Sequence, residues 1–194
     1  MPSISPRSDW NRLKPDTIHA VRELLAQLYE DGAGQDLLDS YLYAKRLLAD
    51  SMQALIRMDL PSRCETFHEM REDLREEISR RYDGRIPAAY LTVPYGSRVH
   101  EELFTILLER QGQPVSAALL RVVTADSVHA ERRTRELREL GFQISTGKAN
   151  GSDVYTLESL ELDTSMVPTI VKNIRRDKKI TQAEEHALTE VLGL

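Results

Sequence analysis

One cysteine stands in the whole chain, with one tryptophan and three phenylalanines. A lone thiol, Cys64, closes no internal disulfide and builds no cysteine-based zinc site, so disulfide-stapled scaffolds and zinc-finger readers are excluded. A reducing cytoplasm is the expected compartment, and Cys64 reads as a buried apolar side chain. No apolar run approaches the ~20 residues that a membrane span requires. The opening stretch MPSISPRSDW lacks the hydrophobic centre of a secretory signal, and residues 1–14 are expected to form a flexible arm carrying Trp10.

Groups for chemistry are equally scarce. The five histidines (His19, His68, His100, His129, His186) are scattered, with no two at metal-ligand spacing on one helix. His68-Glu69 and His100-Glu101 read as solvated or half-buried pairs on amphipathic helices. The acidic-x-Lys match Asp177-Lys178-Lys179 has no strand before it, so it does not build the carboxylate–lysine centre of a nuclease. Glycine-rich phosphate loops are missing. The sequence therefore points to a binder, with no catalytic residue, metal ligand or cofactor. An excess of positive charge is missing too. With 26 basic and 31 acidic residues the net charge is −5, so any DNA contact must use a local positive surface.

What the chain does have is helical rhythm. Ile18, Val21, Leu24, Leu25 and Leu28 recur at helical spacing after Asp16, a good N-cap, and "EDGAG" ends the helix. A second helix is expected over 36–58, with an apolar face (Leu38, Tyr41, Leu42, Leu48, Met52, Leu55) wide enough to be covered on more than one side. Ser62-Arg63-Cys64-Glu65 reads as a capping box opening a third helix. Its narrow stripe, Phe67, Met70, Leu74, Ile78 and Tyr82, suits one neighbouring helix, including one in a partner chain. The proline- and glycine-broken segment 84–97 marks a boundary or a short strand with a turn.

Beyond it the rhythm changes. A helix is expected from Val99 to Arg110, with Leu103, Phe104, Ile106 and Leu107 inward. A second, capped near Ser116, runs through Val123. A third is capped by Asp126 or Ser127 and ends at Gly141. Phe142 and Ile144, then Val154, Tyr155 and Leu157, supply strand residues, and Gly147, Asn150 and Gly151 supply a hairpin turn. Three short helices followed by a hairpin is the order of a winged helix-turn-helix. The fold class read here is mainly α, in four parts: the arm (1–14), a helical dimerisation unit (15–97), a winged helix (98–162) and C-terminal helices (163–194). The last part carries a basic cluster (Arg175, Arg176, Lys178, Lys179) and a capping box at Thr181-Gln182-Ala183-Glu184.

The third helix of the winged unit, within HAERRTRELRELGFQI, holds four arginines. Ala130, Thr134, Leu137 and Leu140 fall on its core face, which leaves Ser127, His129, Arg132, Arg133 and Glu136 outward near its N-terminus. Early residues of a recognition helix meet base edges, and arginine donates a bidentate pair to guanine. Arg135 and Arg138 are expected at phosphates or beside Glu131 and Glu139. Ser145, Thr146, Lys148 and Asn150, placed at the wing turn, suit backbone or minor-groove contact. Over 127–148 five basic residues face three acidic ones, but over 99–160 seven face nine, so the positive footprint is small. Glu131, Arg135 and Glu139, four apart, also fit a solvated salt-bridge ladder.

The stretch HAERRTRELRELGFQISTGKANGSDVYTLESL resembles the winged-helix modules attached to bacterial restriction endonucleases and related phage-defence proteins. There an arginine-rich helix ends in Leu-Gly-aromatic and the wing closes on a Tyr-x-Leu strand. The resemblance covers residues 99–160 and implies DNA contact through the helix beginning near Ser127, by His129, Arg132, Arg133 and Lys148. No nuclease domain is recognised beside it. The expected protein is a cytoplasmic, homodimeric binder of double-stranded DNA, acting as a transcriptional regulator or as the recognition component of a defence system with a partner protein. The alternative is an interaction adaptor whose winged helix and Phe67–Tyr82 stripe bind another protein, and a third reading is a nuclease subunit with an unrecognised site.

Overall fold

A computed structural model describes residues 6–30, 34–125, 130–177 and 189–191. The chain is mainly helical with a small antiparallel sheet of three strands. It divides into two compact units. One comprises Met1–Ser62 with Ala118–Ala130, and the other Arg63–Ala117 with Glu131–Leu194. Ser127 and His129, the capping candidate Asp126, Lys178, Lys179 and the capping box from Thr181 lie outside the described residues.

In the first unit, α1 (Pro6–Tyr29) and α2 (Gly34–Arg57) form a helical hairpin. Helix α1 begins well before Asp16, which is an interior residue and not the N-cap. Pro15 is carried inside the helix. The two helices meet through small side chains: Thr17, Ala20, Ala44, Ser51 and Ala54 are the buried positions. The Thr17 hydroxyl lies against the Ser51 hydroxyl and 3.3 Å from the Leu47 carbonyl, which sets the register. The larger apolar residues expected to make this core are elsewhere. Ile18, Val21, Leu25 and Leu28 on α1, with Leu38, Tyr41, Leu42 and Leu48 on α2, are exposed. Helix α5 (Ala117–Val123) joins this unit, where Gln53 Nε2 donates to the Val123 carbonyl at 2.6 Å.

In the second unit, α3 (Glu65–Tyr82) starts later than the capping box predicts. The extended residue Cys64 is the N-cap and has no side-chain cap bond. Its backbone N–H is taken instead by the Glu101 carboxylate at 2.6 Å. The stripe Phe67, Met70, Leu74, Ile78 and Tyr82 is buried within the chain's own unit, so the expectation of a partner surface there is corrected. Three rings make the centre of this core: Phe67 lies 5.5 Å from Phe104 and 6.0 Å from Phe142, and Phe104 lies 5.1 Å from Phe142. Edge-to-face and tilted pairs of this kind add to plain apolar burial. The broken segment forms a short 3-10 helix, Ala88–Tyr90, and not a strand.

Helix α4 (Arg98–Leu108) supplies Phe104, and it is buried nearly all round rather than along one stripe. Strand β1 (Val115–Ser116) follows, so Ser116 pairs in the sheet instead of capping α5. After α6 (Ala130–Glu139), β2 (Gln143–Ala149) and β3 (Ser152–Ser159) complete a sheet of order β1-β3-β2. The hairpin turn is Asn150-Gly151, with φ of 50° and 77°. Two positive φ values define the type I′ turn that matches strand twist, and Asn-Gly adopts it with least strain. Helix α7 (Val167–Asp177) buries Val167, Ile170, Val171 and Ile174.

The end of α6 is fixed by one glycine. Gly141 has a φ of +85°, and a Cβ placed on it would stand 2.5 Å from the Asp163 carbonyl oxygen. Its own carbonyl accepts the Asp163 N–H at 2.9 Å. Left-handed backbone costs ~1–3 kcal/mol for a residue with a side chain, and the overlap here is with backbone that cannot swing away. Gly141→Ala is expected to lower unfolding stability by at least ~2 kcal/mol. Urea denaturation followed by circular dichroism measures it, and an unchanged midpoint would refute the packing described.

Candidate nucleic-acid interface

Helix α6 is polar by composition and is held by its inner face. Ala130, Thr134, Leu137 and Leu140 are buried, as their spacing predicts. Glu136, expected to face outward, is also buried, at 3% exposure. Isolated burial of a carboxylate is costly, and Glu136 avoids it by collecting donors. His100 Nε2 lies 2.8 Å from one carboxylate oxygen, and Arg133 Nη1 lies 2.8 Å from the same oxygen. Arg132 Nε donates to the other oxygen at 2.9 Å. The other nitrogen of the His100 ring, Nδ1, is 2.7 Å from the Ser97 hydroxyl. A neutral ring that donates from Nε2 to Glu136 and accepts at Nδ1 from Ser97 satisfies both contacts.

The ionisation of this group follows from its surroundings. Burial penalises the imidazolium and outweighs the pull of Glu136, so the pKa of His100 lies below the ordinary histidine value. Burial pushes the Glu136 carboxyl up, but hydrogen bonds from His100, Arg133 and Arg132 outweigh it and hold the group below the usual carboxylate range. One turn along α6, Glu139 accepts a hydrogen bond from Tyr95 at 3.2 Å and faces Arg135 at 3.5 Å. Tyr95 has a φ of 59°, an uncommon conformation for a residue with a side chain. Two successive carboxylates, Glu136 and Glu139, therefore tie α6 to α4 and to the segment before it.

A similar arrangement anchors α4. Glu101 accepts the Cys64 N–H, lies 3.3 Å from His68 Nε2 and 3.4 Å from Arg98 Nη1. Burial raises its carboxyl, but these partners bring it below the usual range.

The described basic candidates lie outward, each with an acid beside it. The side chain of Arg132 is 59% exposed, that of Arg133 39% and that of Arg135 64%, so the outer parts of all three reach solvent despite their ion pairs. The wing candidates are more dispersed than the sequence predicts. The strands run further than expected, so Ser145, Thr146 and Lys148 belong to β2, and of the four only Asn150 is at the turn. Ser145 is hydrogen-bonded to Glu158 across the hairpin, and Lys148 pairs with Asp153 at 3.7 Å. Successive strand residues face opposite sides, which separates Ser145 from Thr146 and Lys148. On the Ser145 side a groove of about 580 Å³ runs between α6 and β2, lined by Arg135, Arg138, Ser145 and Glu158.

His100, Glu136, Tyr95 and Ser97 are the positioning residues that sequence reasoning missed. Periodicity hides them because α4 buries polar and apolar residues alike: Glu101, Glu102 and Thr105 are as enclosed as Leu103.

Residues 100–164, about a third of the chain, match the family model described as the KpnI N-terminal domain, which is restriction-endonuclease-related. His100 and Glu136 both fall inside the matched stretch. No curated protein and no solved structure matches the chain.

His100, Glu101 and Glu136 all make stability fall on acidification. A histidine depressed by folding binds protons more readily when unfolded, so its contribution is lost as pH drops below ~6.5. A carboxylate depressed by folding loses its contribution below ~4.5. The urea midpoint is expected to fall between pH 7.5 and 5.5 in the wild type and to change less in His100→Leu. Equal slopes in both proteins would contradict a neutral, buried His100.

Proposed function

We propose that the protein binds double-stranded DNA through α6 and the β2–β3 hairpin, without catalysing a reaction on it. The observation that carries this reading is that Arg132, Arg133 and Arg135 on one short helix reach solvent while a buried, hydrogen-bonded carboxylate fixes the helix from within. A reading head needs side chains held in register, and the buried His100–Glu136 pair supplies that register from α4. The element order α4-β1-α5-α6-β2-β3, with its sheet order β1-β3-β2, is the order of a winged helix-turn-helix and supports the reading further. So does the similarity of residues 100–164 to a restriction-endonuclease-related domain, which favours a restriction or phage-defence setting. There the chain acts as a transcriptional regulator or as the DNA-recognition component beside a partner protein.

In this mechanism Arg132 and Arg133 turn their free N–H groups to base edges in the major groove, and Ser127 and His129 set register near the start of the helix. Arg135 and Ser145 meet the sugar–phosphate backbone on the side of the hairpin that faces α6, while Thr146 and Lys148 meet it from the other side and Asn150 at the tip. Phosphate takes over part of the work of Glu139 and Asp153 as it approaches. Because the positive groups begin paired and few phosphates are neutralised, binding is modest in strength and weakens with salt by about one power of concentration per phosphate contact. A homodimer places two such helices about one DNA turn (~34 Å) apart and reads a palindromic site.

Fluorescence anisotropy on a mixed-sequence duplex tests this at several salt concentrations. Arg132→Lys/Arg133→Lys, which keeps a cation beside Glu136 but removes the forked donors that pair with guanine, is expected to weaken binding about 10-fold. Lys148→Ala is expected to reduce the salt slope by about 1. No binding at low salt would overturn the reading and leave the exposed helix face to a protein partner.

A further inference from the structure

The first unit leaves its own apolar surface uncovered in a specific pattern. Small residues of α1 and α2 face each other, following the stripes 17-20 and 44-51-54. One residue further along each helix runs a second stripe. On α1 it is Ile18, Val21, Leu25 and Leu28, at spacings of three, four and three. On α2 it is Leu38, Tyr41, Lys45, Leu48, Met52 and Leu55, at spacings of three, four, three, four and three. This alternation is the heptad seam of a helix that packs along a parallel or antiparallel neighbour. In an antiparallel pair, a step of one residue turns both helices toward the same side of their common plane. The two second stripes therefore lie on one face of the hairpin, and the exposures agree: Ile18 is 42% exposed, Leu25 50%, Leu28 57%, Leu38 47% and Tyr41 46%.

We infer that this face is the seam of a homodimer, in which the α1–α2 hairpin of a second copy completes a four-helix bundle. Three observations favour a second copy. First, the hairpin buries mainly small residues against itself, which stabilises it little, so it needs a covered seam to hold its form. Second, eight large apolar residues of the two stripes are 38–57% exposed, a contiguous apolar face of the kind that a specific dimer, burying ~800 Å² on each side, covers. Third, α1 and α2 together carry seven basic and six acidic side chains, so two copies do not repel each other. That balance also differs from the Lys- and Arg-rich polar face of a membrane-surface helix. Lys45 interrupts the α2 stripe, where a single polar residue fixes register and oligomer size. Helix α5 walls part of the face, where Ala118 and Val122 line a groove of about 450 Å³ with Leu24, Leu48 and Met52.

The inference gives the proposed dimer a location and stands on the hairpin alone, so it is tested without DNA. Sedimentation velocity of the full chain is expected to give twice the 22.1 kDa chain mass, and Leu25→Glu/Leu48→Glu to give the single-chain mass. Should that variant fail to fold, the wild type still decides. Its melting temperature is expected to rise between about 1 and about 100 µM, because unfolding is coupled to dissociation. A single-chain mass with a concentration-independent melting temperature would overturn the inference and leave the face to another protein or to lipid. A double-mass species that survives in a folded Leu25→Glu/Leu48→Glu would overturn the location.

Discussion

A carboxylate with almost no access to water has to be paid for by its partners, and Glu136 has three. His100 reaches it from α4, and Arg132 and Arg133 reach it from its own helix. Removing one partner from a buried ionic group typically costs ~3–5 kcal/mol, whereas each of the exposed pairs on the same helix contributes ~0–1 kcal/mol. The position of α6 in its unit therefore depends on this one group more than on any other polar contact. The aromatic cluster of Phe67, Phe104 and Phe142 provides bulk to the core of the unit but no rotational setting for α6, since apolar contact is not directional. Glu136 and Glu139 supply that setting a turn apart.

The same pairing governs what α6 can bind. Arg132, Arg133, Arg135 and Lys148 begin with acidic neighbours, so an approaching phosphate gains less than it would from solvated cations and must exchange partners. A balanced surface of this type favours a ligand whose geometry matches several arginines at once over one that offers charge alone. That is the electrostatic reason for placing the proposed function in sequence reading and not in general coating of nucleic acid.

Much of this was legible in the sequence where periodicity and turn chemistry speak directly. The Asn150-Gly151 hairpin, the inner face of α6 and the stripe of α3 follow from spacing and from one dipeptide. The failures have physical causes. The N-cap of α3 is Cys64 and not Ser62, and the backbone N–H of Cys64 goes to a carboxylate 37 positions away, Glu101, a partner that no local pattern reports. Glu136 looked outward because its spacing is that of a polar face, yet a histidine 36 positions away encloses it. In the hairpin of α1 and α2, spacing identified the apolar residues but not which stripe the chain covers itself. Two stripes side by side on each helix leave spacing unable to say which one the hairpin buries, and the small residues choose it.

The most direct measurement of α6 as a reading helix is photocrosslinking to a mixed-sequence duplex from a photoreactive side chain at position 132. The control is the same group at Arg110, an exposed position just beyond the opposite end of α4 from His100. Covalent duplex attached from position 132 and not from position 110 is the expected result. Attachment from neither position, or equally from both, would contradict a DNA-reading α6.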